Sequence, residues 1–221
     1  MVDGKDVRSG GKRAYRTGMT SRTIVDAAVA LTRQHGLEAW TTRTLAASLD
    51  TSLSVLAHHI GDRQALSAAV VDRVAGSISV PSPDLSWRSW LTELFTSLRE
   101  AFESHPGVAQ WTLLHGPVTD AIAPVVDAAV TVLLDAGFGD DAARAYAVVF
   151  TVCVSQIALG DARRTTNAGH GAMLYGLPPA GERGRGLDAM VEMIAGFSRS
   201  DHYAYTLECA LDGIDAQRAR R

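Results

Sequence analysis

The sequence has few cysteines, few aromatic residues and no apolar run long enough to cross a membrane. Only two cysteines, Cys153 and Cys209, occur in 221 residues, so we expect free thiols in a reducing compartment rather than a disulfide framework. The longest apolar stretch, 145–159, is shorter than the roughly 20 residues of a spanning helix. The polar N-terminus offers no secretory signal segment. These absences favour a globular cytoplasmic protein that does not enter a membrane.

The chain also lacks the residue spacings of common metal and catalytic sites. Its seven histidines do not pair with cysteines or carboxylates at ligand spacing. The glycine-containing run 181–186 follows no strand, so we interpret it as a linker and not as a phosphate-binding loop. A nucleophile elbow and paired catalytic carboxylates are also missing. We therefore predict no cofactor, no metal ion and no enzymatic activity.

Charge is distributed unevenly along the chain, although the net charge is only −3. Residues 1–75 hold ten Lys/Arg against seven Asp/Glu, a balance of +3, whereas the remainder holds eleven against seventeen, or −6. This split is expected if only the N-terminal part contacts phosphate groups. Residues 1–19 are basic and have little apolar content, which predicts a flexible arm. That arm is either a solvated tail or a segment that follows the DNA backbone or enters the minor groove.

Two short helices joined by a tight turn are predicted between residues 41 and 60. Thr41 can cap the first helix, residues 50–52 supply the turn, and the second helix covers residues 53–60. Apolar residues at helical spacing give the first helix a buried face, namely Leu45, Ala46 and Leu49. A preceding helix ends at Gly36 and completes a three-helix unit over residues 20–66. Because the second short helix of such a unit can enter the DNA major groove, we predict a helix-turn-helix DNA-binding domain.

These residues resemble the N-terminal domain of the TetR family of transcriptional regulators. The matching positions are His35-Gly36-Leu37, Thr41-Thr42, Leu45-Ala46, Leu56-Ala57-His58-His59-Ile60, Arg63, Ala65 and Leu66. The family commonly has a Tyr where this chain has Ala57, and that Tyr typically donates a hydrogen bond to a phosphate. Its absence is expected to weaken DNA binding without abolishing it. The resemblance implies an all-α protein that binds a near-palindromic operator as a dimer.

Candidate DNA-contacting residues lie on the two short helices and at the start of a fourth helix, predicted over residues 63–76. Residues 52–55 would face base edges, since Leu53 or Val55 can contact a thymine methyl and Ser54 can donate or accept a hydrogen bond. The others would contact the backbone or lie beside such contacts. The full set is Thr42, Arg43, Ser52, Leu53, Ser54, Val55, Ala57, His58, His59 and Arg63.

A second all-helical domain, residues 67–221, is predicted, connected to the first by the helix over 63–76; a proline-containing linker at 77–86 precedes its further helices. Trp90, Leu94, Leu98 and Phe102 recur every four residues and predict one amphipathic helix. Further helices are expected over residues 108–115, 118–136 (interrupted at Pro124), 140–160 and about 203–214. Because no helical period survives between residues 160 and 186, we predict a flexible loop there.

The helix over 140–160 is apolar on nearly every face, so it has to be covered on all sides. The last helix carries a second apolar stripe, and the two could form a four-helix interface in a symmetric homodimer. The family usually dimerises through its eighth and last helices, and the ending around Leu211-Asp-Gly-Ile214 is similar to that of the tetracycline-repressor-like branch. The predicted interface residues are Tyr146, Val149, Val152, Ile157, Tyr203, Leu207, Leu211 and Ile214.

The resemblance also implies a central pocket for a small molecule between the helices of the second domain. The candidate pocket residues are Trp90, Phe95, Trp111, His115, Phe150, Cys153 and Gln156. Such pockets are mostly apolar with a few orienting polar groups, a role that His115 and Gln156 could fill. The competing interpretation is that the aromatic residues are plain core.

The sequence therefore favours a ligand-responsive regulator, most simply a repressor released from a double-stranded DNA operator by a small hydrophobic effector. Two alternatives stay open at this point. One is a DNA-binding dimer without a ligand, and the other is a helical enzyme fused to a DNA-binding module.

Overall fold

The computed structural model describes residues 19–116, 120–165, 176–179 and 181–220. All regular elements in these residues are helical, which confirms the all-α prediction. In chain order they are α1 (Ser21–His35), α2 (Thr42–Ser48), α3 (Leu53–Ile60), α4 (Arg63–Ala75), α5 (Trp87–Glu103), α6 (Val108–His115), α7 (Ala123–Leu133), α8 (Ala142–Thr165), α9 (Arg185–Ala195) and α10 (Arg199–Arg218). The predicted basic arm lies, apart from residue 19, outside the described residues.

The first three helices and α4 pack around a small core at the N-terminal end, which we call the reading head. Its buried side chains are Ile24, Ala28, Leu45, Leu56, Leu66 and Val70. Since each helix supplies at least one of them, the three-helix unit predicted from the spacing of apolar residues is confirmed.

Each helix of the reading head is preceded by a residue whose side chain accepts a hydrogen bond from a backbone N–H of the first turn. The Thr41 hydroxyl accepts the Thr44 N–H at 3.2 Å, and the Thr44 hydroxyl accepts the Thr41 N–H at 2.9 Å. Ser52 caps α3, and Asp62 accepts the Ala65 N–H at 2.8 Å at the start of α4. These caps fix where α2, α3 and α4 start, and the one at Thr41 agrees with the cap expected from the sequence.

The turn between α2 and α3 contains a residue in the left-handed conformation. Asp50 has φ +47°, and the next residue, Thr51, donates its N–H to the Ala46 carbonyl at 2.9 Å. Asp tolerates this conformation better than most residues because its short polar side chain can bond locally. The turn is therefore tight enough to place α3 across α2.

In the rest of the chain, α5, α6, α7 and α10 pack around α8. The predicted four-residue repeat of α5 is buried in this core at Trp90, Leu94, Leu98 and Phe102. Both the inner face of α10 and one side of α8 join the same core. The fold thereby explains why α8 has an apolar sequence over so many turns.

Within the described residues, which leave out 117–119, the helix predicted over 118–136 begins at Ala123, and a π-helical turn, Leu134–Phe138, continues it. Pro124 lies in the first turn of α7 instead of interrupting a longer helix, a position at which its missing N–H has no intrahelical partner to lose. Residues 123–164 are together apolar and long enough to resemble a membrane span. However, Gly137 has φ +86° and breaks this run into α7 and α8, which pack against each other.

The loop predicted over 160–186 is wrong at both ends. α8 continues past residue 160 to Thr165, and α9 starts at Arg185. Residues 166–175 and 180 of that loop lie outside the described part of the chain. The helix α9 was not predicted, although Leu187, Val191 and Ile194 have helical spacing, because the glycines before it are typical of a continuing loop.

Candidate functional site

The N-terminal end of α3 projects polar and apolar side chains from the reading head into solvent. Ser52, Leu53 and Ser54 are exposed, and Leu53 keeps 45% of its surface accessible. The Ser52 hydroxyl accepts the Val55 N–H at 3.3 Å and lies 2.8 Å from the Ser54 hydroxyl. These hydroxyls are consequently held in place by the cap of the same helix whose N-terminus would face base edges.

The opposite face of α3 fixes the helix to the head. Leu56 is buried and Ile60 packs against the core, as the sequence indicated. The His59 carbonyl accepts a hydrogen bond from the Ser21 hydroxyl of α1 at 3.0 Å. Ala57 and His58 remain exposed on the outer side. The outer side chains of α3 are thus exposed, while its inner face is fixed to the reading head by packing and by the hydrogen bond to α1.

Two candidates for backbone contact lie at the start of α2. Arg43 is exposed and Thr42 is half-buried, and both follow the Thr41 cap directly. The positive charge of Arg43 is therefore available at a helix N-terminus that also offers free N–H groups. This combination suits a phosphate oxygen.

Arg63 departs from the sequence prediction of a phosphate contact. Its guanidinium lies over the Trp40 ring, 3.7 Å from the ring centroid, and its Nη2 donates to the Leu37 carbonyl. Its Nη1 is buried without a hydrogen-bond partner, and burial lowers the pKa of the side chain. The structure corrects the prediction, because this charge is directed into the protein.

Three of the seven pocket candidates come together between α5, α8 and α10. Phe95, Phe150 and Cys153 are buried there beside Tyr146, whose ring centroid lies 6.2 Å from Phe95 and 5.9 Å from Phe150. The Tyr203 hydroxyl of α10 donates to the Phe95 carbonyl at 2.8 Å. Burial raises the pKa of the Cys153 thiol to about 11 and that of Tyr146 to about 12. Both groups therefore stay neutral in this apolar region.

Trp90 is buried on α5 in the same hydrophobic core, whereas the remaining three candidates lie elsewhere. Trp111 and His115 stack on each other on α6, with ring centroids 4.3 Å apart, and His115 is exposed. Gln156 faces α10 from the outer side of α8, where its Nε2 lies 3.4 Å from His202 Nε2. The expectation that His115 and Gln156 orient a ligand in one central pocket is corrected for Gln156, because the rotation of α8 turns it outward.

The predicted interface side chains are mostly used inside the chain itself. Seven of the eight are buried in its own core, namely Tyr146, Val149, Ile157, Tyr203, Leu207, Leu211 and Ile214, and only Val152 is partly exposed. Most of their surface is therefore unavailable to a second copy, although Val152 and Ile214 also border the open groove between α8 and α10.

A different face of the same two helices is open to solvent. Val148 is 45% exposed and Tyr205 is 70% exposed. They line a groove of about 620 Å³ between α8 and α10, together with Val152, Gln156, His202, Thr206, Cys209, Ala210, Gly213, Ile214 and Gln217. We call this the α8–α10 outer face. It is largely apolar although nothing in the described chain covers it.

Metal ligands are absent as a group: no three His, Cys, Asp or Glu side chains within the described ranges lie close enough to hold an ion. His58 and His59 are edge to face, with centroids 5.5 Å apart.

Comparison with known proteins places this fold among solved regulators. A possible TetR family transcriptional regulator from Streptomyces coelicolor A3(2) has a TM-score of 0.78 at 24% identity, covering 89% of this chain and 98% of that chain. ActR from Streptomyces coelicolor in complex with actinorhodin gives 0.73 at 23% identity, with coverage of 90% and 98%. A TetR variant from Acinetobacter baumannii AYE in complex with minocycline gives 0.69 at 20% identity, again with coverage of 90% and 98%. At these identities the likeness shows a shared fold.

The family itself is shown by sequence. No curated protein matches the chain, but residues 80–218, well over half of it, match the family described as tetracyclin repressor-like, C-terminal domain. This region contains α5 to α10 and adjoins the helix-turn-helix head described above. The chain belongs to the TetR family of transcriptional regulators.

Proposed function

We propose that this protein is a homodimeric repressor that binds a near-palindromic DNA operator and is released by a small hydrophobic effector. The observation that carries the proposal is the pairing of an exposed recognition helix with an uncovered apolar face on α8 and α10. The first can read one half-site, and the second can join two copies so that both half-sites are read.

The reading surface favours contacts with thymine methyl groups. Leu53 offers an exposed apolar side chain, and the neighbouring hydroxyls of Ser52 and Ser54 can donate or accept at several bases. Arg43 supplies a phosphate contact from α2. Since the exposed side chains of α3 include no Arg, Asn or Gln for a two-bond contact with a purine, we expect modest discrimination per base pair and a large electrostatic share of the affinity.

The α8–α10 outer face supports dimerisation through a second copy of the chain. An apolar groove left open by one subunit is self-complementary when a two-fold axis places the same surface against itself. Gly213 points in the same direction. Nothing lies within 4 Å of a Cβ built there, although glycine inside a helix costs about 1 kcal/mol relative to alanine. Close approach of a partner helix would explain why glycine occupies this position, whereas the packing within one chain does not require it.

A dimer of this kind holds two recognition helices roughly 34 to 36 Å apart, the spacing of successive major grooves. The effector would bind among the apolar side chains of α5, α6 and α8. A ligand that prefers the dimer conformation with a different spacing lowers operator affinity by its difference in affinity for the two states. ActR in complex with actinorhodin and the TetR variant in complex with minocycline are relatives in fold that bind small molecules, which supports a small-molecule effector here.

The interface is tested with two matched valines. Val148→Arg places a charge on the α8–α10 outer face, whereas Val80→Arg places it on a valine that is 54% exposed and lies outside that face. Sedimentation velocity should show a monomer for the first variant and a dimer for the second, both with native helical content. A dimeric Val148→Arg protein would show that the subunits associate elsewhere.

The regulatory role is tested by a screen of metabolites and antibiotics for release of the protein from its own upstream DNA. The proposal expects a hydrophobic compound that binds the full chain and lowers operator affinity. If compounds bind without changing that affinity, the coupling is absent, and a DNA-binding dimer without an effector describes the protein better. Turnover of a bound compound would instead favour the enzyme alternative.

A further inference from the structure

The helices α5 to α10, which we call the effector domain, contact the reading head at a second place besides α4. The junction between α1 and α2 lies against the turn between α5 and α6, where the Leu37 N–H donates to the Pro106 carbonyl at 2.8 Å. Gly36 and Gly107 both have positive φ, +91° and +90°, and a Cβ on Gly107 would lie 3.1 Å from the Leu37 Cβ. The two backbones therefore approach so closely that a side chain at Gly107 would have to displace Leu37.

The α5–α6 turn is in turn held by α8. The Gly107 N–H donates to Asp161 Oδ2 at 3.0 Å, and the Asp161 carboxylate, 5% exposed, also pairs with Arg164 one turn later on α8. A buried carboxylate is unfavourable unless hydrogen bonds and opposite charge compensate for its lost hydration. Breaking the bond to Gly107 would therefore leave the buried Asp161 carboxylate less compensated. We expect the α5–α6 turn to move together with the C-terminal end of α8.

The carbonyl group of Leu37 is bonded to α4. It accepts a hydrogen bond from Arg63 Nη2, and the Arg63 guanidinium stacks on Trp40. The Trp40 ring is fixed in its place by its Nε1–H, which donates to the Thr32 hydroxyl at 2.9 Å. The fully buried Leu37 is thus hydrogen-bonded to the effector domain through its N–H and to the start of α4 through its C=O.

We propose that the backbone of Leu37, through its N–H and its C=O, is a node: a point of contact through which α8 sets the orientation of the reading head. Asp161 and Arg63 are its positioning residues. The inference rests on the proposed function, since it names how DNA binding would be regulated. α8 also carries half of the outer face proposed for dimerisation. A shift of α8 then reaches the head through Asp161, Gly107 and Leu37 without passing through the body of α4.

The α4 route offers a matched comparison. On α4, Asp72 Oδ1 accepts the Ala121 N–H at 3.0 Å, a bond of the same type between a carboxylate and a backbone amide. Asp161→Ala and Asp72→Ala therefore each remove one such bond, on different routes between the head and the effector domain. Asp161→Asn keeps an acceptor for Gly107 and serves as the conservative rescue.

The experiment measures hydrogen exchange of the full-length protein by mass spectrometry, with a peptide covering residues 36–41 and the centre of α5 as internal reference. Asp161→Ala removes the hydrogen bond of the Gly107 N–H, which is worth about tenfold in an opening equilibrium. Because the turn that it releases carries the Pro106 carbonyl that accepts the Leu37 N–H, exchange at Leu37 should accelerate by up to about tenfold while exchange in α5 stays unchanged. Asp72→Ala and Asp161→Asn should leave Leu37 close to the wild-type rate. Operator affinity of Asp161→Ala should fall several-fold.

Three outcomes would overturn the proposal. These are an unchanged Leu37 rate in Asp161→Ala, equal acceleration by Asp72→Ala or throughout α5, and faster exchange at Leu37 with wild-type operator affinity. Failure of the proposed function is recognised separately, because the wild-type protein would then bind no operator while the exchange rates at Leu37 still decide whether the node exists.

Discussion

The reading head and the pair formed by α8 and α10 present their candidate functional side chains in opposite ways. In the head, α2 and α3 have seven and eight residues, and most of the predicted DNA-contacting side chains are exposed. In α8 and α10, of 24 and 20 residues, most of the predicted interface side chains fill the chain's own core. The two regions therefore differ in how well the spacing of apolar residues indicated which side chains are exposed.

The difference arises from how many apolar faces a helix has. A short capped helix in a three-helix unit has one narrow apolar face, so the remaining positions are necessarily exposed. A long helix that is apolar on two faces does not reveal by periodicity which face meets its own core. For α8 and α10 that choice is made by the positions of α5, α6 and α7, which the spacing of residues in α8 does not encode.

The largest expected effect separates the inner and outer faces of α10. Leu211 is fully buried and Tyr205 is mostly exposed, so Leu211→Ala should lower the free energy of unfolding by about 2 to 5 kcal/mol. Tyr205→Ala should change it by less than about 0.5 kcal/mol. Urea unfolding in the monomeric Val148→Arg background measures both without a contribution from dimerisation. Equal losses would mean that the two faces are not distinct.

A smaller effect is expected in the reading head, where function should change without stability. Arg43→Ala removes one phosphate contact, so operator affinity should fall by roughly tenfold at low salt and the salt slope should decrease by about 0.9. The thermal midpoint should not change. Arg33→Ala is the matched control, because this exposed arginine lies at the end of α1 that adjoins the effector domain. A similar loss of affinity in both variants would place the DNA elsewhere.

The smallest effect concerns Gly213 and has opposite signs for the subunit and the dimer. Gly213→Ala should stabilise the monomeric subunit by up to about 1 kcal/mol, since alanine favours helix and the structure leaves room for its Cβ. It should weaken dimerisation if a partner helix approaches there. Chemical unfolding of the monomeric background and sedimentation equilibrium of the dimer give the two values. A gain in both would remove Gly213 from the interface.

Most of the fold could be predicted from the sequence because its signals are local. Thr41, Asp62 and Gly61 mark helix ends through capping and backbone conformation. The apolar residues that recur every four positions from Trp90 onward mark the buried face of α5. α9 was missed because its apolar residues form a single short stripe behind glycines. Its start at Arg185 has no side-chain cap that a sequence pattern would reveal.

The candidate site was less predictable where an outcome depends on distant contacts. Arg63 was expected to contact the DNA backbone, but Trp40 and the Leu37 carbonyl bind its guanidinium inside the protein. The family resemblance implied a pocket position for Gln156, whereas the packing of α10 directs it outward beside His202. In both cases a partner far away in sequence decided the direction of a polar side chain.

The central claim is that two recognition helices, held apart by the α8–α10 outer face, read two half-sites one helical turn apart. Selection of bound sequences from random double-stranded DNA, followed by insertion of five base pairs between the half-sites, tests it most directly. We predict a two-fold symmetric site whose affinity collapses on insertion, since five base pairs rotate one half-site by roughly half a turn. A selected site without symmetry, or one that tolerates the insertion, would contradict the account.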